Sequence, residues 1–209
     1  MTPIDWDEHW RKRDEPEGAK QFAVEMAARL EAFIKTKEIK RFADFGCGPA
    51  TALFELAARF PEIQFFGYDT AASILMKNRE KAKNLGLVNL HFEQDILPNP
   101  RTKDKFDVVT CFSTLHYVGD IGRAIRGLFG LLSPGGRLIF NYPNRYTRTA
   151  KRNEIEPDEY TKRRFALVLA GKNLTSMKKI REILGKRPRR FYSSRRYNIF
   201  VAVRKRARA

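Results

Sequence analysis

Three carboxylates stand in the same local setting. Asp44 sits in the run R-F-A-D-F at 41–45, Asp69 ends I-Q-F-F-G-Y-D at 63–69, and Asp95 follows V-N-L-H-F-E-Q at 88–94. A carboxylate accepts two hydroxyls through its two oxygens, or holds a cation. Gly46 and Gly48 follow Asp44 almost at once, after which apolar Leu53, Leu56, Ala57 and Phe60 recur at spacings of three and four. That is a strand, a glycine turn and a helix. Glycine tolerates positive φ and lets a ligand approach the backbone, and a helix start offers unpaired N–H groups to electron-rich atoms. Taken alone, the turn fits either a nucleotide-type cofactor site or an ordinary tight turn. A fourth run, F-D-V-V-T-C-F at 106–112, delivers Phe112 and Ser113 and leads on to His116.

The elements that must position these residues can be read from periodicity. Strands are predicted at 41–45, 63–68, 88–93, 106–112 and 137–142, with helices at about 53–60, 70–85 and from Asp120 to Leu132 between them. The turn Ser133-Pro134-Gly135-Gly136 precedes the fifth strand. Alternating strands and helices predict an α/β fold, a doubly wound, mostly parallel sheet with helices on both faces. Such sheets bind ligands at the carboxyl ends of their strands, where the strand order reverses. Asp44, Asp69, Asp95 and Phe112–Ser113 all converge there. Upstream, residues 19–35 make a helical stripe through Phe22, Met26, Leu30 and Phe33. Trp6 and Trp10 either staple the N-terminal segment to the core or form a lid over the site. Downstream, residues 143–172 exceed a simple connection and are expected to hold a helix from about Pro157 to Ala170. A further helix is expected at about 175–184, then two Arg-rich strands in 189–205 that discourage edge pairing.

Composition bounds the reading. The 209 residues, 43% hydrophobic and 31% charged, suit one domain with a sizeable core. Within it we expect N-terminal cap helices over 1–36, a binding core over 37–142, a basic insertion on the substrate side over 143–172, and the last helix and strand pair over 173–209. No run approaches the length needed to span a bilayer, so no membrane partner is expected. The acidic, aromatic start M-T-P-I-D-W-D-E-H-W is not a secretory-signal pattern. Cys47 and Cys111 make no disulfide framework, which favours a cytoplasmic setting. Three histidines without paired Cys/His spacing predict no metal site. The net charge of +17 is uneven: residues 1–144 carry 20 Lys+Arg against 19 Asp+Glu, residues 145–209 carry 21 against 5. Such a field attracts polyanions, and RNA is the favoured partner, against a merely solvated surface.

In order, D-F-G-C-G-P-A-T (44–51), G-Y-D-T-A (67–71), E-Q-D-I (93–96), F-D-V-V-T-C-F-S-T-L-H-Y-V (106–118) and L-L-S-P-G-G-R-L-I-F (131–140) resemble class I S-adenosylmethionine (SAM)-dependent methyltransferases. The resemblance covers residues 20–142, and 173–209 more loosely. It implies a seven-stranded sheet with an antiparallel C-terminal strand, methyltransferase activity and SAM as cofactor. It also implies residue roles. Asp44 and the turn Gly46, Cys47, Gly48 and Pro49 would hold the methionine part. Asp69 would accept the ribose hydroxyls, with Thr70 beside the adenosine. Asp95 would accept from the adenine amino group, Ile96 would pack on the ring, and Phe112 and Ser113 would border the reacting methyl. Ala50 stands where the fullest G-x-G-x-G pattern has a third glycine, a change expected to crowd the turn slightly.

The acceptor is less legible. RNA rests on the basic last third and on Arg145, Arg148, Lys151, Arg152, Arg163 and Arg164, which follow the fifth strand on the substrate side. The N-P-P-Y-type motif of many amino-methyltransferases acting on nucleic-acid bases is replaced by F-S-T-L after strand four, and N-Y-P-N at 141–144 follows strand five instead. A small-molecule or protein acceptor is the alternative, because S-T-L-H-Y-V and L-S-P-G-G resemble a subgroup rich in small-molecule enzymes. A non-catalytic RNA-binding or partner protein on the same fold is a lesser one. A nicotinamide dehydrogenase fits poorly, since the turn lacks its G-x-x-G continuation. No catalytic group is assigned. His116 is a candidate general base or a packing residue, and Asn141 and Tyr142 are candidates for the substrate side. The sequence leaves the oligomeric state open.

Overall fold

The computed structural model describes residues 4–154, 159–193 and 198–204. Its strands are β1 (Arg41–Phe45), β2 (Gln64–Asp69), β3 (Leu90–Gln94), β4 (Phe106–Cys111), β5 (Leu132–Phe140), β6 (Arg189–Ser193) and β7 (Asn198–Val203). They form one seven-stranded sheet in the order β3-β2-β1-β4-β5-β7-β6. β1 to β5 run parallel, while β7 lies antiparallel between β5 and β6. This is the expected doubly wound sheet with its reversed C-terminal strand. The order reverses between β1 and β4, so a crevice opens beyond their carboxyl ends.

Alternation along the strands splits the core into two layers. Phe42, Phe65, Val108 and Ile139 point to one face, where α2 (Glu17–Ile34), α3 (Thr51–Arg59) and α4 (Ala72–Asn84) bury Met26, Leu30, Leu53, Leu56 and Leu75. Ala43, Val109, Leu138 and Phe140 point to the other, covered by α5 (Ile121–Gly130) and α9 (Met177–Leu184) through Ile121, Ile125, Leu128, Ile180 and Leu184. Burying each such side chain stabilises by about 1.5–3 kcal/mol, which is why the apolar stripes alone place these helices. Their ends follow local chemistry. Asp120 Oδ1 accepts from Arg123 N at 2.8 Å to start α5, Ser176 caps α9, and left-handed Gly185 ends it. Among the described residues no helix is long and apolar enough to cross a membrane.

The residues after β5 depart from expectation. A helix, α6 (Arg145–Glu154), fills the first part of the segment. Its sequence, R-Y-T-R-T-A-K-R-N-E, has no apolar stripe to announce it. The signal is at its start, where Asn144 Oδ1 accepts from Tyr146 N and Thr147 N while Asn144 N donates to Thr147 Oγ1. That reciprocal arrangement is a capping box. The single helix expected from Pro157 is two, α7 (Glu159–Arg164) and α8 (Ala166–Ala170), divided at Phe165, whose φ of −101° and ψ of 18° leave the helical region. Pro157 itself, like Arg195 and Arg196 of the expected strand pair, lies outside the described residues. β5 begins at Leu132, ahead of the Ser133–Gly136 turn, which loops out between the pairs Phe106↔Leu132 and Val108↔Arg137.

One buried amide braces the α3–β2 connection. Asn89, 4% exposed, donates from Nδ2 to the carbonyls of Ala57, Phe60 and Ile63 at 3.0–3.1 Å. Ala57 lies in the last turn of α3, while Phe60 and Ile63 follow it toward β2, so one amide ties the helix end to the connection. We expect Asn89→Ala to cost about 2 kcal/mol by removing these buried hydrogen bonds, seen as a fall in Tm of about 4–8 °C in a thermal melt.

Candidate active site

Asp69, the last residue of β2, ties the floor of the crevice together. Its Oδ2 accepts from Gly48 N at 2.9 Å and its Oδ1 from Ala71 N at 3.0 Å. The Tyr68 carbonyl beside it accepts from Gly46 N at 2.7 Å and Cys47 N at 3.0 Å. From α4, Asn78 Nδ2 donates to the Gly48 carbonyl at 2.7 Å. The turn is therefore gripped from β2 and from α4 at once. Gly46 has φ +75°, and a Cβ there would lie 2.2 Å from Thr114 Oγ1, so no other residue fits. Ala50 stands at φ +57° as the N-cap of α3. The missing third glycine thus shows as a left-handed backbone, worth about 1–2 kcal/mol of strain, rather than as crowding.

The other carboxylates differ in what they hold. Asp44 accepts from Thr110 Oγ1 at 2.6 Å. Withdrawal from water pushes its carboxyl up to about 6, with Thr110 opposing the shift and nearby Asp69 adding to it. Burial raises Asp69 as well, against the pull of its backbone amides. Asp95 accepts from Ile96 N at 2.7 Å, Arg101 N at 2.8 Å and Thr102 N at 3.1 Å, which fastens the 96–102 loop. The resemblance gives this carboxylate an adenine amino group to accept, and here it lines the cavity while also accepting from three backbone amides.

All these residues face one cavity of about 460 Å³, within the range of pockets that bury a small molecule. Asp44, Gly46, Cys47, Gly48, Pro49, Asp69, Thr70, Asp95, Ile96, Phe112 and Ser113 line it together. The opposite wall is apolar, made by Ala19, Phe22, Ala23 and Met26 of α2. Ser113 has φ +54°, held by Asn141, whose Oδ1 accepts from Ser113 N at 2.8 Å. Backbone strain of this kind persists only where the surroundings impose it.

A short N-terminal helix that periodicity does not reveal borders the cavity. α1 (Trp6–Lys12) places Trp6 and Trp10 both against the hydrophobic core, as a staple would, and in the cavity wall, as a lid would. Asp7 accepts from Ser73 N at 2.8 Å and Lys77 Nζ donates to the Trp10 carbonyl at 2.8 Å, docking α1 on α4. On its other side the buried ring of His9 shares a hydrogen bond through Nδ1 with the Tyr160 hydroxyl of α7. Arg13 covers the Tyr160 ring at 3.6 Å. Burial, with Arg164 and Arg13 nearby, pushes His9 down to about 4, so it is neutral.

The remaining predicted residues lie elsewhere. His116 is not among the residues lining the cavity; burial with nearby Lys151 holds it down at about 4, against a backbone hydrogen bond at Ser113. Asn141 and Tyr142 stand behind the wall, Tyr142 stacked on Phe200 at 5.5 Å. Of the six basic residues after β5, Arg164 alone lines the cavity. Arg148 Nε donates to the Leu169 carbonyl at 2.9 Å, Lys151 sits 4.9 Å from the Phe165 ring, Arg145 bonds Tyr146, and Arg152 and Arg163 are exposed.

Comparison with known proteins agrees with this geometry. A methyltransferase-domain family matches residues 36–192. Trans-aconitate 2-methyltransferase of Deinococcus radiodurans is 30% identical over 138 residues, covering 63% of this chain and 51% of its own length. Demethylmenaquinone methyltransferase of Thermus thermophilus is 32% identical over 133 residues, covering 64% of this chain and 53% of its own length. This chain spans about half the length of the curated relatives it matches. Among solved structures, magnesium protoporphyrin IX methyltransferase of Synechocystis, with bound SAH, has the same fold at a TM-score of 0.64 and 22% identity, covering 95% of this chain and 94% of that one. The chain belongs to the methyltransferase-domain family.

The lid generates a pH prediction. A histidine held below its ordinary value of 6.5 adds stability above that pH and loses it as pH falls toward 4. Asp44 works the other way, favouring the fold as pH falls from about 6 to 3.8. We expect His9→Gln to lose about 1–2 kcal/mol less than the parent between pH 7 and pH 5 in urea unfolding, because its side chain no longer titrates.

Proposed function

We propose that this member of the methyltransferase-domain family binds SAM and transfers its methyl group to a small-molecule acceptor. The observation that carries the reading is the single cavity in which the glycine turn and the strand-end carboxylates face an apolar wall under a lid. The residues fit the cofactor. Asp44 is a carboxylate in the cavity wall whose pKa burial raises, and an amino group bound beside it would favour its charged form. Gly46 and Gly48 leave backbone room for the methionine part, and Asp69 offers its remaining lone pairs to ribose hydroxyls while fixing the turn. Bound there, SAM supplies an electrophilic methyl group.

The chain's part is to position and to exclude water. Phe112 and strained Ser113 border the space between the turn and the α2 wall, and Trp6 and Trp10 close it. Proximity of this kind is worth up to about 7–11 kcal/mol. His116 is not among the described residues that line the cavity, nor is another histidine, which speaks against a histidine base. Without a histidine base, an acceptor that arrives as a ready nucleophile, such as a carboxylate or thiolate, asks least of the site.

Small molecules displace RNA as the favoured acceptor. Relatives named for trans-aconitate and demethylmenaquinone act on small molecules, and five of the six basic residues singled out for RNA lie off the cavity. RNA remains the second reading on one observation, the 21 Lys+Arg against 5 Asp+Glu in residues 145–209. Incubation with methyl-labelled SAM, a metabolite extract and total RNA separates the two. We expect label in the small-molecule fraction; label in RNA would reverse the order. Because protons compete with a bound cation at Asp44, we also expect SAM affinity to fall about tenfold per pH unit below about 6. Calorimetry of Asp44→Asn should show weak binding without that slope.

A further inference from the structure

Among the described cations after β5, Arg164 alone lines the cavity. Its Nε donates to the Tyr117 hydroxyl at 3.2 Å, and its guanidinium lies 5.6 Å from the Tyr117 ring and 5.5 Å from that of Phe165. Trp6 packs on Tyr117 at 4.7 Å, which joins this cluster to the lid. Ring contacts and the Tyr117 bond fix the guanidinium plane, yet no carboxylate pairs with it among the described residues. The carboxylates that share the cavity are engaged: Asp69 and Asp95 by backbone amides, Asp44 by Thr110, and Glu15 by Thr51 Oγ1 at 2.6 Å. The two terminal NH₂ groups therefore form a fixed fork at the cavity wall without a protein acceptor among the described residues. A planar fork of this kind matches a carboxylate through two parallel bonds, which an ammonium cannot do.

Resting on the small-molecule reading above, we propose that Arg164 is the specificity-determining anchor for the acceptor, which carries a carboxylate on a largely apolar or aromatic body. The apolar body meets Phe22, Met26 and Phe112, and the carboxylate meets the fork beside Tyr117. Position separates this anchor from the cofactor's own carboxylate. Arg164 stands over Tyr117, past the end of β4, whereas the turn and Asp69 lie at the ends of β1 and β2. Arg164 thus belongs to the cavity, not to the exposed basic surface of its neighbours.

The experiment uses the full chain saturated with SAH, whose own binding is measured first and tests the function reading separately. 4-Phenylbutyrate and its uncharged amide are then titrated by calorimetry. We expect the acid to bind ten- to a hundredfold more tightly than the amide. Arg164→Gln should erase that preference, and Arg164→Lys should recover only part of it. SAH affinity should stay within twofold in both variants, which also reports that they fold. Equal binding of acid and amide, or no binding of either, overturns the proposal. So does a fall in SAH affinity in Arg164→Gln with the acid preference intact, which would assign the fork to the cofactor's carboxylate.

Discussion

The site depends on one carboxylate that holds two backbone turns together. Asp69 receives Gly48 N on one oxygen and Ala71 N on the other, so the loops that leave β1 and β2 cannot move independently. Hydrogen bonds to a charged group stabilise by about 1.5–3 kcal/mol each, and these two close over a residue only 9% exposed. Everything nearer the ligand inherits that fixture. The positive φ of Gly46, Gly48 and Ala50, the start of α3 and the pocket floor all follow from the grip on this turn. Burial raises the carboxylate's pKa, and the amides that share it pull the other way. The balance is struck by geometry, since donors from two chain segments meet at one side chain.

The α1 wall of the cavity is held by a second, separate set of contacts. α1 is joined to α4 through Asp7 and Lys77 and to α7 through His9 and Tyr160, so it bridges elements far apart in the chain. Its two tryptophans supply apolar area, while the polar contacts set where that area lies. Both rings also pack against the hydrophobic core, so this wall of the cavity is continuous with the layer beneath it.

Much of the fold was legible because parallel strands and amphipathic helices advertise themselves. V-V-T-C-F reads as a buried strand, Ile121, Ile125 and Leu128 as a helix face, and a carboxylate after an apolar run as a strand-end ligand group. α6 was hidden because it buries no stripe, although its Asn144–Thr147 capping box was there to be read. The lid contact was illegible in principle: His9 and Tyr160 are separated by 151 positions, and no local pattern links them. Orientation also escaped the sequence. Six basic residues looked alike, and only the break at Phe165 and the Tyr117 ring turn Arg164 inward. His116 has the chemistry of a base but is not among the residues that line the space where one would act.

Calorimetric titration of SAH into the parent chain and into Asp69→Ala tests the central claim most directly. The account predicts a single site in the parent and a loss of at least about a hundredfold in a variant that still melts cooperatively, because ribose contact and turn geometry fail together. Absence of binding to the parent, or unchanged affinity in Asp69→Ala, would contradict it.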